Sequence, residues 1–87
     1  MFVILTYDIN VKRNNKVRKL CRKYLQHVQK SVFEGTLTPK KFKDLQTEIK
    51  GVVDEEDSVL FFISYNDKQI YKKSINEIDD SFNILVD

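Results

Sequence analysis

The sequence of 87 residues contains few of the residues that cross-link small proteins or interrupt their helices and strands. It has one cysteine, one proline, two glycines and no tryptophan. With Cys21 alone, the chain can form neither an internal disulfide nor a cysteine-based zinc site. No apolar run approaches the roughly 20 residues that a membrane span needs, and the apolar start has no basic region of a signal peptide. We expect a single domain over residues 1–87, not bound to membranes and located in the cytoplasm.

Acidic residues are missing from a long part of the first half of the chain. Between Asp8 and Glu34 lie eight lysines and arginines and no aspartate or glutamate. Residues 1–50 carry 12 basic and 4 acidic side chains, a net charge of +8, whereas residues 51–87 carry 3 and 9, a net charge of −6. The overall charge of +2 conceals this asymmetry. It predicts one cationic surface for a polyanion, with the acids kept elsewhere.

The residues that are present alternate between strand-like and helix-like patterns. Phe2–Tyr7 is a short apolar run rich in β-branched and aromatic side chains, which is typical of a buried strand. Asn10 can cap a helix over about residues 12–26, because apolar residues then form one stripe at helical spacing. That stripe consists of Val17, Leu20, Cys21, Tyr24, Leu25 and Val28.

The rest of the chain continues this alternation. Val28–Glu34 is typical of a second strand, Gly35 of a turn, and Thr36–Thr38 of a short third strand. Thr38 and Pro39 have the residue types of a helix N-cap and first helical position. The buried stripe of that helix is predicted to consist of Phe42, Leu45, Ile49 and Val52 or Val53, with Gly51 near its end. An exposed acidic loop, Asp54–Asp57, follows the helix. Three further strands are predicted at Ser58–Tyr65, Gln69–Lys73 and Phe82–Val86.

The order β-α-β-β-α-β predicts a ferredoxin-like α+β fold with one or two extra strands at its carboxyl end. In this fold both helices cover the same face of one antiparallel sheet. The first strand and Ser58–Tyr65 are apolar on both faces, so the uncovered face needs another partner. We therefore expect a homodimer packed through the open sheet face, with residues 76–87 as a tail that crosses or covers the interface.

Three motifs resemble those of a known family. They are Tyr7-Asp8-Ile9, Lys12-Arg13-Asn14-Asn15-Lys16-Val17 and Gln29-Lys30-Ser31-Val32-Phe33-Glu34-Gly35. Together with length and element order, they make residues 1–75 similar to the CRISPR-associated Cas-two family, also called the CRISPR-associated endoribonucleases. One departure is Leu25 after Tyr24, where many relatives have glycine. We expect the helix to end in a different shape there, or to run on toward His27.

The resemblance implies a ferredoxin-like homodimer. In this family the Asp that ends the first strand, which falls on Asp8, is the proposed metal ligand and faces its copy across the dimer. Activities in the family include metal-dependent cleavage of single-stranded RNA and of double-stranded DNA. The family dimer also bridges two integrase dimers that insert new spacers into a CRISPR array. Implied partners are therefore DNA or RNA and CRISPR integrase subunits.

Asp8 has a structural and a functional interpretation. A carboxylate at a strand–helix junction can cap the helix or pair with Arg13. It can also bind Mg²⁺ or another divalent ion, which would polarise a phosphoryl oxygen and lower the pKa of a bound water, in a catalytic role. One such carboxylate is too few, so two copies across a symmetry axis would be the minimum. No other acidic residue lies near Asp8 in the sequence, so a site for two metal ions is not indicated.

The basic run also has two interpretations. It can be a solvated helix face, which is common for isolated lysines. However, cations at i,i+4 spacing repel one another, and bound phosphates would neutralise that repulsion. We favour sequence-independent contact with a nucleic-acid backbone, with Arg13 and Arg18 as the bidentate phosphate ligands. The predicted nucleic-acid-binding residues are Lys12, Arg13, Lys16, Arg18, Lys19, Arg22, Lys23 and Lys30.

Other polar and aromatic residues favour structural roles. His27 is expected to pack or hydrogen-bond where the helix meets the next strand, and Ser31 has no visible relay to activate it as a nucleophile. Phe33 can stack on a base but more often fills a core. Cys21 lies in the apolar stripe and is expected to be inert. Three further lysines can extend the phosphate surface or solvate the second helix: Lys40, Lys41 and Lys43.

Three functions remain open from the sequence. The first is a scaffold that holds duplex DNA along its basic helices and positions integrase subunits, with residues 54–57 and 76–87 as candidate docking surfaces. The second is a metal-dependent endonuclease that cleaves single-stranded RNA or double-stranded DNA, with Asp8 as ligand. The third is a toxin-like ribonuclease that acts alone.

Overall fold

The fold is built on one antiparallel sheet whose central strand is the apolar segment at the start of the chain. A computed structural model describes residues 1–66, 68–76 and 83–85. Within them the strand order is β2-β3-β1-β4-β5-β6. The first four strands and two helices form the predicted ferredoxin-like unit, and β5 and β6 extend one edge. The elements are β1 (Phe2–Asp8), α1 (Val11–Arg22), β2 (Gln26–Gln29), β3 (Val32–Thr36), α2 (Pro39–Lys50), β4 (Ser58–Ser64), β5 (Gln69–Ile75) and β6 (Asn83–Leu85).

The core lies between the two helices and one face of the sheet. Alternate residues of β1 and β4, such as Leu5 and Phe61, are fully buried and face α1 and α2. Burying such a side chain contributes about 1.5–3 kcal/mol, so this face supplies most of the stability. The helices contribute the predicted stripe residues, which are Val17, Leu20 and Cys21 from α1 and Phe42, Leu45 and Ile49 from α2.

The opposite face of the sheet is apolar but more accessible. Phe2 is 40% exposed, and Ile4, Leu60 and Phe62 are half-buried. Both helices contribute their buried residues to the core on the other face. The two-faced character predicted for β1 and β4 is therefore confirmed, and neither helix covers this second apolar face.

The predicted extent of the first helix was wrong. α1 ends at Arg22, and the chain turns through Tyr24 before β2 begins at Gln26. The Leu25 amide donates to the Cys21 carbonyl at 2.8 Å, and its side chain still joins the core. Val28 is 51% exposed in β2, outside the helical stripe. The segment pairs with β3 although its apolar residues have helical spacing. The strand hydrogen bonds satisfy the backbone N–H and C=O groups that a longer helix would have satisfied.

The predicted second and third strands were divided in the wrong place. The chain turns at Lys30 and Ser31, so Val28–Glu34 contains a hairpin turn. Lys30 adopts the left-handed backbone conformation, with φ 42°. Gly35 lies inside β3 opposite Val3 and forms no turn. Thr36 ends the same strand, so no separate third strand occupies residues 36–38.

Gly35 allows two elements to approach closely. A Cβ atom placed there would lie 3.0 Å from the Leu25 Cδ2 atom. The glycine therefore serves packing between β3 and the segment after α1.

The start and end of the second helix agree with prediction. The Thr38 side chain accepts a hydrogen bond from the Lys41 amide at 3.2 Å, and Pro39 is the first helical residue. Gly51 forms the C-cap in a right-handed conformation. These contacts satisfy backbone groups that the helix itself leaves unpaired.

The predicted last strand is described only as Asn83–Leu85, which pairs with β5 in the same sheet. Residues 77–82 and 86–87 lie outside the described residues. The expectation that the tail crosses a dimer interface therefore stays a prediction. Within the part of the chain that is described, no helix has the length and apolarity to span a membrane.

Candidate nucleic-acid interface

The first helix presents a row of cations to solvent. Because Val17, Leu20 and Cys21 face the core, the charged residues between them lie on the outer side of α1. The Asn10 side chain caps this helix by accepting from the Lys12 amide at 3.0 Å. Five of the cations at this helix are exposed: Lys12, Lys16, Lys19, Arg22 and Lys23. Two are half-buried, Arg13 and Arg18. One more cation, Lys30, is exposed in the β2–β3 turn.

Arg13 is engaged by acids of the loop before β4. Its Nε and Nη2 atoms donate to Asp57 at 2.6 and 3.0 Å, and Asp54 and Glu56 lie within 3.6 Å. Only 13% of its side chain is exposed. These contacts give Arg13 a structural role, and its predicted role as a bidentate phosphate ligand stays a prediction.

The expectation that residues 54–57 form an exposed acidic loop was wrong at Asp57. Its side chain is fully buried, whereas the other three residues are exposed. Besides Arg13, the carboxylate accepts from the amides of Asn10 and Asp54, both at 2.8 Å. The Arg13 hydrogen bonds and these amides hold the pKa of Asp57 well below its usual range, against the opposing effect of burial. The pair joins the start of α1 to the start of β4.

Lys23 is also engaged, at the other end of the helix. Its Nζ lies 2.6 Å from Glu48 Oε1 of α2, and the Tyr24 hydroxyl donates to Oε2 of the same carboxylate. The hydrogen bond to Glu48, together with desolvation, raises the pKa of Tyr24 to about 12. These three residues hold the end of α1 against α2.

The remaining cations form what we call the basic surface. In the described part of the chain, none of its members has an acidic partner. α1 itself contains no aspartate or glutamate. Such uncompensated charge repels itself and is best neutralised by a polyanion. The basic surface consists of Lys12, Lys16, Arg18, Lys19, Arg22 and Lys30.

Asp8 ends β1 and is exposed. Neither structural alternative holds for it, because Asn10 caps α1 and Arg13 pairs with Asp57. Its carboxylate has no hydrogen bond or ion pair to any described residue. The carboxylate is therefore available to a ligand on the open side of the sheet.

The donor set around Asp8 is small for a metal ion. Among the described residues, no group of three histidine, cysteine, aspartate or glutamate side chains lies close together. A magnesium ion prefers several oxygen ligands, including one or two carboxylates and waters. Among these described residues, Asp8 therefore has fewer than two further side chains of these types close enough to share an ion with it.

The β2–β3 hairpin holds His27 and Phe33 as structural side chains. The His27 ring stacks on Phe33 at 4.6 Å, and its Nε2 atom lies 2.6 Å from the Lys30 carbonyl oxygen. Phe33 is fully buried, so it fills the core and cannot stack on a base. Cys21 is buried as well, and desolvation raises the pKa of its thiol to about 12, as expected for inert packing.

Fold and surface together define a class: a small ferredoxin-like protein with a basic helix face, an available carboxylate at the end of β1 and an apolar open sheet. The chain matches the family described as CRISPR associated protein Cas2 over residues 1–80. It belongs to this family, as its sequence motifs had indicated.

Named relatives agree with this assignment. The "CRISPR-associated endoribonuclease Cas2" of Dictyoglomus turgidum is 47% identical over 75 residues, which cover 80% of this chain and 86% of the relative. The protein of the same name from Thermotoga maritima is 48% identical over 69 residues, covering 78% and 79%. The crystal structure of Streptococcus pyogenes Cas2 is 41% identical with a TM-score of 0.68, covering 74% of this chain and 86% of that one.

Proposed function

We propose that this protein is a nucleic-acid-binding subunit of the CRISPR adaptation machinery, active as a homodimer. The observation that carries the proposal is the basic surface, whose cations have no acidic partner in the described residues. The dimer would hold a DNA duplex along its α1 helices and bridge integrase subunits while a new spacer is inserted. The integrase role rests on family membership, since the relatives carry CRISPR in their names.

Recognition in this proposal depends on charge and shape. Phosphate contacts from lysine and arginine position a duplex but carry no sequence information. Each phosphate that a cation neutralises releases counterions, so affinity should fall steeply as salt concentration rises.

The test replaces two cations of the basic surface. Lys16→Gln with Lys19→Gln should weaken duplex binding and lower the slope of log K against log salt by about 2. Fluorescence anisotropy at several salt concentrations measures both quantities. A matched control is Lys40→Gln with Lys43→Gln on α2, where Lys40 already pairs with Asp44 at 3.1 Å. An unchanged slope in the first variant would place the phosphate contacts elsewhere.

A second candidate function is a metal-dependent endonuclease acting on single-stranded RNA or double-stranded DNA. The relatives' name of endoribonuclease favours it, and so does the exposed, unpartnered carboxylate of Asp8. Asp8 and its copy in a second chain would hold the ion. A bound Mg²⁺ would supply charge stabilisation and an acidified water.

Replacing Asp8 separates the two functions. Asp8→Asn keeps the size of the side chain and removes its charge. Calorimetric titration with Mg²⁺ and Mn²⁺ should show loss of binding, and cleavage of RNA should fall to background. Spacer acquisition with the cognate integrase should persist if the nuclease is dispensable. Loss of acquisition together with unchanged DNA binding would contradict the scaffold proposal.

A further inference from the structure

A polar cavity lies at the edge of the sheet, where the β2–β3 turn meets β1 and α1. Its volume is about 290 Å³, and it is lined by Tyr7, Asn14, Arg18, His27, Lys30 and Ser31. Successive residues of a strand point to opposite faces, so Tyr7 lies on the helix side of β1 and Asp8 on the open side. The cavity is therefore separate from Asp8. It shares only Arg18 and Lys30 with the basic surface.

The described side chains that line this cavity can all donate hydrogen bonds, and none is a carboxylate. Arg18 donates to Asn15 Oδ1 at 3.2 Å through one Nη atom and also interacts with the Tyr7 hydroxyl, but a guanidinium has five N–H groups, so further donors remain for a ligand. Lys30 is exposed and has no acidic partner in the described chain. The contrast with Arg13, whose guanidinium is held by three acids, marks this cavity as an uncompensated positive site.

Backbone and ring contacts hold the cavity wall in a fixed shape. The His27 ring is fixed on one side by stacking on the buried Phe33 and on the other by the contact of Nε2 with the Lys30 carbonyl. The Tyr7 amide donates to the Ser31 carbonyl at 3.2 Å, which joins the turn to β1. A site with such support loses little freedom when a ligand binds.

We propose that this cavity binds a phosphomonoester group, at the end of a nucleic-acid strand or on a free nucleotide. Two cations and several neutral donors suit an anion with three terminal oxygens and nearly two charges better than a phosphodiester with one charge. The nearly buried Tyr7 backs the cavity, so an end group fits it better than a continuous strand. For a strand end, the proposal rests on the nucleic-acid binding argued above and adds recognition of the terminus.

The first experiment compares two oligonucleotides that differ only at one end. A single strand with a 5′-phosphate and the same strand with a 5′-hydroxyl are titrated at fixed salt by fluorescence anisotropy, and a 3′-phosphate strand tests the other terminus. The wild-type protein should bind a phosphorylated strand about tenfold more tightly. The variant Arg18→Gln with Lys30→Gln should lose this preference.

A matched pair of charges serves as control. Lys16→Gln with Lys19→Gln removes two cations that do not line the cavity. It should weaken binding of both strands alike and keep their ratio. Circular dichroism and thermal unfolding confirm that each variant folds. Because Arg18 is half-buried, the single variant Lys30→Gln, at an exposed turn residue, provides a second test if the double variant unfolds.

The second experiment identifies the source of the phosphate and does not need strand binding. Adenosine monophosphate and adenosine are titrated into the wild-type protein by calorimetry. A phosphate-dependent signal that Lys30→Gln abolishes supports a nucleotide site, even if no strand binds and the proposed function fails. The proposal is overturned if neither strand ends nor nucleotides are distinguished by their phosphate, or if the Arg18 and Lys30 variants keep the distinction. Strand binding without end preference would leave the proposed function intact.

Discussion

At the scale of single residues, position decides which charges are available and which are part of the structure. Arg13 and Lys16 lie three residues apart on the same helix, yet the Arg13 side chain is 13% exposed beside Asp57 and Lys16 is exposed on the outer face. A buried carboxylate needs a charged partner and several hydrogen bonds, and Asp57 has both. A cationic side chain therefore stabilises the fold at one position and faces solvent at the other.

Removing the Asp57 charge should destabilise the protein strongly. Asp57→Asn leaves Arg13 without its main partner at the junction of α1 and β4, and we expect the melting temperature to fall by about 10 °C at neutral pH. Arg13→Lys keeps the positive charge but loses the bidentate contact with Asp57, so the fall in its melting temperature should be smaller. Glu55→Gln in the exposed part of the same loop is the control and should change little. Equal melting temperatures of wild type and Asp57→Asn would contradict the assigned role.

The same ion pair predicts a pH dependence. Since the pKa of Asp57 is lowered in the folded state from about 3.8, the folded protein keeps this carboxylate ionised where the unfolded chain protonates it. Its stabilising contribution is complete above the unfolded value and is lost as the pH falls below about 4. Urea unfolding from pH 7 to pH 3 should therefore show the difference between wild type and Asp57→Asn shrinking with acid. If the difference in unfolding free energy between wild type and Asp57→Asn grew as the pH fell, the lowered pKa of Asp57 would be contradicted.

At the scale of elements, local signals predicted helix starts better than helix ends. Thr38 and Pro39 started α2 as expected, because capping depends only on nearby residues. The end of α1 could not be predicted from spacing, since Leu25 continues the apolar stripe but packs on Gly35 of β3. Such a contact depends on the partner strand. The departure from the family at Leu25 indicated this position but not the direction of the change.

The two glycines should respond in opposite ways to alanine. At Gly35 the added methyl group would lie 3.0 Å from Leu25 Cδ2 and force that side chain to move, so we expect a loss of about 1 kcal/mol. Gly51 has φ −76°, and its nearest neighbour would be 3.4 Å away, so alanine there should be neutral or stabilise by about 0.5 kcal/mol. Urea denaturation measures both, and a stabilising Gly35→Ala would show that the close approach is not needed.

At the scale of the whole molecule, charge and burial separate onto different faces. The helix side carries the basic surface, and the other side of the sheet is apolar. This division was predictable, because alternation in β1 and β4 and the order of elements fix which side the helices cover. The cavity at the β2–β3 turn was not predictable. Tyr7, Arg18 and Lys30 come from three elements, and only the fold brings them together.

The open face leads to the prediction of a dimer. Wild-type protein should have twice the 10.3 kDa mass of one chain in multi-angle light scattering at micromolar concentration. Leu60 lies at the middle of this face on β4, so Leu60→Lys should give a folded monomer, because a second chain cannot bury an unpaired lysine cheaply. Val11→Lys makes the same change at a residue that is 84% exposed on α1, and its mass should stay that of the dimer.

The mass measurement also decides how the basic surfaces can act. In a dimer joined through the sheet, each chain keeps α1 on the outside, so two basic surfaces are available to one duplex. Leu60→Lys should then weaken duplex binding far more than the added positive charge could strengthen it. A wild-type protein of 10.3 kDa, or a monomeric Leu60→Lys that binds duplex as tightly as wild type, would mean that one helix alone makes the contact.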